Sequence, residues 1–401
     1  MHSEDRLHAL DAVRAFALLS GIALHATQPF VAGLPWLTAE VPSKTLAGVF
    51  FSIHMVRMPL FFLIAGFFGR MMLARRGVSG FLKDRGRRIL VPLIIGVPVI
   101  MVLTGLCYVL GALASGADPH ALQGLQPPAS NDHHGILART NLIHLWFLYY
   151  LLIFYVVALG IHATLRNYRR LNGAVERGVT FLTHQAWGAI VLALPIAVYF
   201  DHLAAWSPWG GLPAPMSVIP DVGALCAFGP FFGFGWLLHR QQPLLQYVEK
   251  NWLRNALIAA AAWVICRTLA GTTPHWGHFL QGSSLADFCM AYFIAAWYGS
   301  FAVMGVAMRF MANFSPTRRY LADSSYWLYL MHIPALIFFQ QLLHPLPWSW
   351  TIKYPLAVGS ATLVLLLSYR YFVRFTFIGA TLNGHRKPKL STAMPAIAAA
   401  D

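Results

Sequence analysis

RAFALLSGIALH, residues 14–25, sets an arginine and a histidine around ten uncharged residues, nearly all apolar. As a helix, this stretch turns through about 1100°, three turns plus about 20°, so its two ends share a face about 16 Å apart along the axis. That is about half of a 30 Å hydrocarbon core. Whether the surroundings are lipid decides the fold. Of the 401 residues 58% are hydrophobic and only 11% charged, far too little charge to cover a soluble surface of this size. The segment is therefore the first helix of an all-α integral membrane protein, and its polar ends sit where each costs free energy.

A membrane-spanning helix needs about 20 apolar residues. Ten stretches qualify, at about 9–30, 45–73, 87–113, 142–165, 185–203, 217–238, 253–272, 284–311, 319–343 and 351–377. Prolines 59, 98 and 334 fall inside them, which membrane helices tolerate when neighbours satisfy the freed backbone groups. About 23 of the 29 Lys and Arg lie in the N-terminus, the even-numbered loops and the tail, so the positive-inside rule predicts both termini cytoplasmic. Arg70, Arg75, Arg76, Lys83, Arg85, Arg87 and Arg88 read as the loop after span 2, and Arg166, Arg169, Arg170 and Arg177 as the loop after span 4. The net charge of +15 is thereby explained by anionic membrane lipids, with no nucleic acid partner. The expected organisation is one transmembrane domain over 1–377 and a basic, then Ala-rich, disordered tail over 378–401. The short N-terminus carries Glu4, Asp5 and Arg6, and Asp11, Arg14 and His25 interrupt the apolar run after it, so it reads as a retained helix and not a cleaved leader. Cys107, Cys226, Cys266 and Cys289 all lie in apolar runs without paired spacing and read as buried hydrophobes.

Asp11 lies three residues before Arg14 and can pair with it on one helix face. A structural ion pair and a packed histidine are the plain reading. Intramembrane ionisable groups more often line a pathway. His54 and Arg57 share a face of span 2, and Arg57 joins Arg14 as an arginine placed deep in the core.

LDAVRAFALLSGIALH (10–25), HMVRMPLFFLIAGFF (54–68), RGRR (85–88), HLWFLYYLL (144–152) and SSYWLYLMHIPALIFF (324–339) stand in order along the chain. Together they resemble the landmarks of the acyltransferase-3 family of membrane acyltransferases, whose first helix carries a basic residue, ten residues, then histidine. The wording is most similar to the family's glucan-modifying branch, and the similarity runs from about residue 7 to 377. It implies a bacterial inner-membrane enzyme of about ten helices. Such an enzyme moves a succinyl or acetyl group from cytoplasmic acyl-CoA, a co-substrate and not a bound cofactor, to a hydroxyl of a periplasmic or lipid-linked glycan.

On that reading His25 is the candidate general base, since a hydroxyl is a poor nucleophile and a positioned imidazole contributes about 10²–10⁴ in rate. Asp11 and Arg14 serve the cytoplasmic side. Arg85 and Arg88 match the family's Arg-x-x-Arg and are expected to fork the phosphates of coenzyme A, against a plain positive-inside explanation. Arg57, with His54, is expected at the donor: pairing with an acid, holding a succinyl carboxylate, or polarising the thioester carbonyl. His144, Tyr326 and His332 are expected at the acceptor. Asp221 and Asp287 join them at outer helix ends, as does Asp201 by position, with Trp206, Trp209 and Trp276 in adjoining loops. An interfacial tryptophan belt gives the same pattern. No Gly-x-Ser-x-Gly elbow surrounds a serine, which disfavours a serine acyl-enzyme. Asp132, His133 and His134 are too few and too close for a metal site. Two rivals are a haem-binding membrane cytochrome using the deep histidines and a secondary transporter of a small anion or sugar, which would show repeat symmetry.

Overall fold

The computed structural model describes residues 3–116, 141–203, 206–241, 243–277 and 279–384. The expected outer-loop group Asp132, His133 and His134 and the tail from residue 385 lie outside them. The described residues form helices and connecting loops, with no strand. In chain order the helices are α1 (Ser3–Thr27), α2 (Lys44–Arg85), α3 (Val91–Ala114), α4 (Trp146–Leu165), α5 (Arg169–His184), α6 (Gly188–Asp201), α7 (Val222–Leu238), α8 (Pro243–Lys250), α9 (Trp252–Ala270), α10 (Ser283–Phe310), α11 (Pro316–Leu343), α12 (Trp350–Ser368) and α13 (Phe377–Asn383).

Local chemistry starts several of them. Ser43, Asp221 and Ser315 each cap a helix, their side chains accepting from the backbone N–H of Leu46, Ala224 and Arg318, which satisfies donors that the first turn leaves without partners. Eight stretches are long and apolar enough to cross a membrane, or nine if α5 and α6, bent by 106°, count as one broken span. Lys44–Ala114 is one such stretch of 71 residues, about 107 Å if straight and so far too long for a single crossing.

Two loops expected after spans 2 and 4 are instead helical. The basic residues from Arg70 to Arg85 continue α2, interrupted at Gly77 (φ 64°, ψ −176°), and a π turn over Gly86–Leu90 joins α2 to α3. Arg170 and Arg177 lie on α5, an amphipathic helix. Both segments have the helix-forming residues that a loop reading of charge alone passes over. The chain beyond residue 377 also continues as α13, with Asn383 donating to the Tyr369 hydroxyl at 3.0 Å.

α1 packs against α2, α10, α11 and α12, and α2 packs along α7. The α2–α7 contact is a reciprocal backbone approach. A Cβ on Gly66 would lie 2.0 Å from the Phe232 carbonyl oxygen, and one on Gly235 1.9 Å from that of Leu63. Small residues at such crossings let membrane helices gain close van der Waals contact. Phe62 and Phe228 stack across the interface at 4.7 Å. The outer face of α3, with Ile94 and Val102 more than 60% exposed, is apolar, as a lipid-facing surface requires.

Candidate active site

Three helices and a 3-10 turn bring their polar residues to one cavity of about 520 Å³. α1 contributes His25, α2 contributes His54 and Arg57, α11 contributes His332, and His144 stands in the 3-10 turn (Ile143–Leu145) before α4. His25 is in the last turn of α1, and the 3-10 turn Gln28–Phe30 brings Gln28 back beside it. His25 Nδ1 donates to Gln28 Oε1 at 2.8 Å. In the neutral ring this leaves Nε2 with the lone pair. Trp36, from the α1–α2 loop, stacks on His25 at 6.2 Å, and its indole N–H donates to Gln340 Oε1 at 2.9 Å.

His332 lies between the other two imidazoles, its ring centroid 5.1 Å from that of His25 and 4.7 Å from that of His144. Its Nδ1 donates to the Tyr329 carbonyl at 2.6 Å. His144 Nε2 donates to the carbonyls of Tyr329 and Leu330 at 3.0 and 3.2 Å, and the Tyr329 hydroxyl donates back to the His144 carbonyl at 2.8 Å. Pro334 explains part of this: lacking an N–H, it leaves the Leu330 carbonyl one turn earlier without its helical donor. The proline inside α11 thus supplies the acceptor that orients His144.

Arg57 lies against α1. A Cβ on Gly21 would fall 2.4 Å from Arg57 Nη1, so only glycine gives the guanidinium that space, one turn before His25. Among the described residues no carboxylate lies within ion-pair distance of Arg57, and its Nε is buried without a hydrogen-bond partner. His54 stacks on Phe50 at 5.4 Å. The loop at Gly211 (φ 67°) closes over it, and a Cβ there would meet His54 Nδ1 at 2.4 Å.

A second, smaller cavity of about 140 Å³ holds Arg14, Arg85, Arg88, Ser325 and Tyr326. Three guanidinium groups face it, a natural anion site. Asp11 is 3.2 Å from Arg14 and 3.3 Å from Arg319, so the expected i,i+3 pair forms and is extended to α11. Arg85 lies over the rings of Phe81 and Tyr155 at 5.4 and 5.1 Å. Arg88 sits in the π turn and donates through Nε to the Leu382 carbonyl at 3.1 Å. Asp84 lies buried beside Arg76, Arg85 and Arg88 at 3.5, 3.6 and 3.8 Å.

Most of the residues singled out in the sequence thus line one of two cavities. His25, His54, Arg57, His144 and His332 share the larger, and Arg14, Arg85 and Arg88 the smaller. Tyr326, expected with the acceptor, lies in the smaller cavity with its hydroxyl 2.5 Å from the Arg88 carbonyl. The periodicity accounts for it: Tyr326 is nearly two turns before His332 on α11, about 9 Å along the axis. Asp221 is at the edge of the larger cavity, already engaged as the α7 cap. Asp287 is exposed on α10 and lines neither. Gln28, Trp36 and Asp84 went unnoticed in the sequence. The Gln28 signal was its i+3 spacing from His25, and the Asp84 signal was a lone acid in a basic run.

A family model described as an acyltransferase domain, Acyl_transf_3, matches residues 7–370. Relatives named glucans biosynthesis protein C, from Escherichia coli strain SMS-3-5 / SECEC and from Escherichia coli O1:K1 / APEC, are each 29% identical over 164 residues. Those residues are 40% of this chain and 40% of each relative, so the match spans less than half the length of either. No solved structure matches.

Proposed function

The chain belongs to the acyltransferase-3 family, and on that premise we propose that it is a multi-pass O-acyltransferase of a bacterial inner membrane. It carries a succinyl or acetyl group from acyl-CoA on the cytoplasmic side to a hydroxyl of a periplasmic or lipid-linked glycan. The observation that carries this reading is the face of α1. Arg14 lines the smaller, arginine-rich cavity and His25 the larger one, so one helix links an anion site to an imidazole with a free lone pair. Counting Lys44–Ala114 as two crossings and the α5–α6 pair as one brings the spans to ten. An even number keeps both termini on one side, and the basic segments favour the cytoplasm for that side.

In this mechanism Arg14, Arg85 and Arg88 hold the coenzyme A phosphates. The thioester reaches toward the larger cavity, whose wall for a sugar ring includes Trp36, Trp146 and Trp206, with the Asp221 carboxylate among its lining residues. His25 Nε2 removes the acceptor hydroxyl proton as the oxygen attacks the thioester carbonyl. Arg57 stabilises the oxyanion that forms, or holds the far carboxylate when the group is succinyl. The C–S bond breaks, and the imidazolium returns its proton to the departing thiolate. No external acid is needed.

The test is acceptor-stimulated thiol release from a panel of acyl-CoAs, using detergent-purified full-length protein beside His25→Ala. Release that needs both a glucan and His25 is the expected result. Folded protein that cleaves no donor with any glucan would overturn it and favour transport. Arg57→Gln separates the two arginine roles, because loss of succinyl transfer alone marks a carboxylate contact.

A further inference from the structure

The two cavities share four lining residues, one from each of the helices that build them: Leu18 of α1, Phe61 of α2, Phe147 of α4 and Tyr329 of α11. Each lies one to two turns along the chain from a polar residue of the larger cavity. Leu18 precedes His25 by seven residues, Phe61 follows Arg57 by four, Phe147 follows His144 by three, and Tyr329 precedes His332 by three. Lining both cavities, the four stand where the two meet, between the imidazoles and Arg14, Arg85 and Arg88. All four are under 10% exposed. Phe61 and Phe147 meet at 4.9 Å, Phe147 and Tyr329 at 6.0 Å.

We propose that Leu18, Phe61, Phe147 and Tyr329 form a septum through which the acyl thioester must pass, and that its rings set the width of the acyl group transferred. This rests on the acyltransferase reading and adds to it the residues that select the donor. Coenzyme A held by Arg14, Arg85 and Arg88 is on one side of the septum and His25 on the other. The carbonyl carbon must cross it before the C–S bond can break and the C–O bond form. Tyr329 is the fixed post, its hydroxyl bonded to the His144 carbonyl. Leu18 and Phe61 are apolar and move by rotamer change alone, so the septum opens only as far as those two side chains turn. Acetyl and succinyl are slender enough to pass. Branched or aromatic acyl groups are excluded.

The measurement is glucan-dependent thiol release from acetyl-, succinyl-, isobutyryl- and benzoyl-CoA by the full-length protein. Wild type is expected to favour the slender donors. Phe61→Ala is expected to raise the benzoyl-to-acetyl ratio of kcat/KM at least tenfold. Leu18→Phe is expected to lower transfer from every donor at least tenfold while coenzyme A binding stays within twofold. If Phe61→Ala does not elute as a folded species, Phe61→Leu carries the same comparison, with an expected rise of at least threefold. An unchanged donor ratio in an active Phe61 variant overturns the septum and leaves the acyltransferase reading standing. Wild type that transfers from no donor overturns both.

Discussion

His25 Nδ1 lies 2.8 Å from Gln28 Oε1, and that bond decides which ring nitrogen is left for chemistry. The turn Gln28–Phe30 is what brings the amide back onto the imidazole. Without it the ring can flip or change tautomer, and the lone pair is no longer held at Nε2. Gln28→Leu is expected to lower kcat about tenfold or more, up to the 10²–10⁴ that a positioned base supplies, with the donor KM unchanged. Gln28→Glu keeps the acceptor oxygen and should retain most of the rate. Equal losses in the two variants would mean that the bond does not orient the base.

Gly21 and Arg57 make a second such pair. A methyl group at Gly21 would occupy the place of Arg57 Nη1. The guanidinium is the end of a flexible side chain, so it moves and the helices need not. Gly21→Ala should leave thermal stability in detergent within a few degrees, yet reduce transfer by about 10²-fold, the cost of a misplacement near 1 Å. Full activity in a Gly21→Ala enzyme would show that the position of Arg57 is immaterial.

Asp84 is the acid that holds the basic segment together, with three guanidinium groups within 3.8 Å. Removing one partner of a fully buried pair costs about 3–5 kcal/mol. Arg76 is more than half exposed, so solvent screens part of this, and Asp84→Asn is expected to cost about 1–3 kcal/mol. Chemical unfolding in detergent measures it. The donor KM should rise as Arg85 and Arg88 lose their common anchor, and an unchanged KM would place the two arginines outside the donor site.

The α1–α2 loop that carries Trp36 over His25 is tied down by Glu40. Its Oε2 accepts from Lys353 Nζ at 2.8 Å and its Oε1 lies 3.0 Å from His344 Nδ1. Lys353 is buried and also donates to the His344 carbonyl. Lys353→Met should destabilise the protein by about 2–4 kcal/mol, because the Glu40 carboxylate is left without its cation. The double variant Glu40→Gln with Lys353→Met should recover part of the loss. Additive losses in the cycle would show that the pair is not coupled.

What depends on neighbours along one helix was legible in the residues alone. The apolar runs predicted a multi-span helical chain, and eight stretches are long and apolar enough to cross a membrane. The 100° step predicted that Arg14 and His25 lie on one stripe, and the i,i+3 rule predicted the Asp11–Arg14 pair that forms at 3.2 Å. These follow from a period that the residues carry themselves. The sequence also held the Gln28 signal, which was overlooked because the bond forms across a change from α to 3-10 geometry. What meets across the bundle was settled by the packing of the helices. His144 and Tyr329 bond to one another over 185 positions, and which of Tyr326 and His332 faces which cavity depends on how α11 is placed against α1, α2 and α4. The loop reading of 70–88 failed because positive charge marks a side of the membrane and says nothing about whether the backbone there is helical. Asp287 was legible as an acid at a helix end, but nothing local shows that α10 turns it away from both cavities. Side-chain periodicity is local physics. Which stripe faces which is set by the packing of rings and glycines such as Gly66 and Gly235, whose partners lie more than 150 residues away.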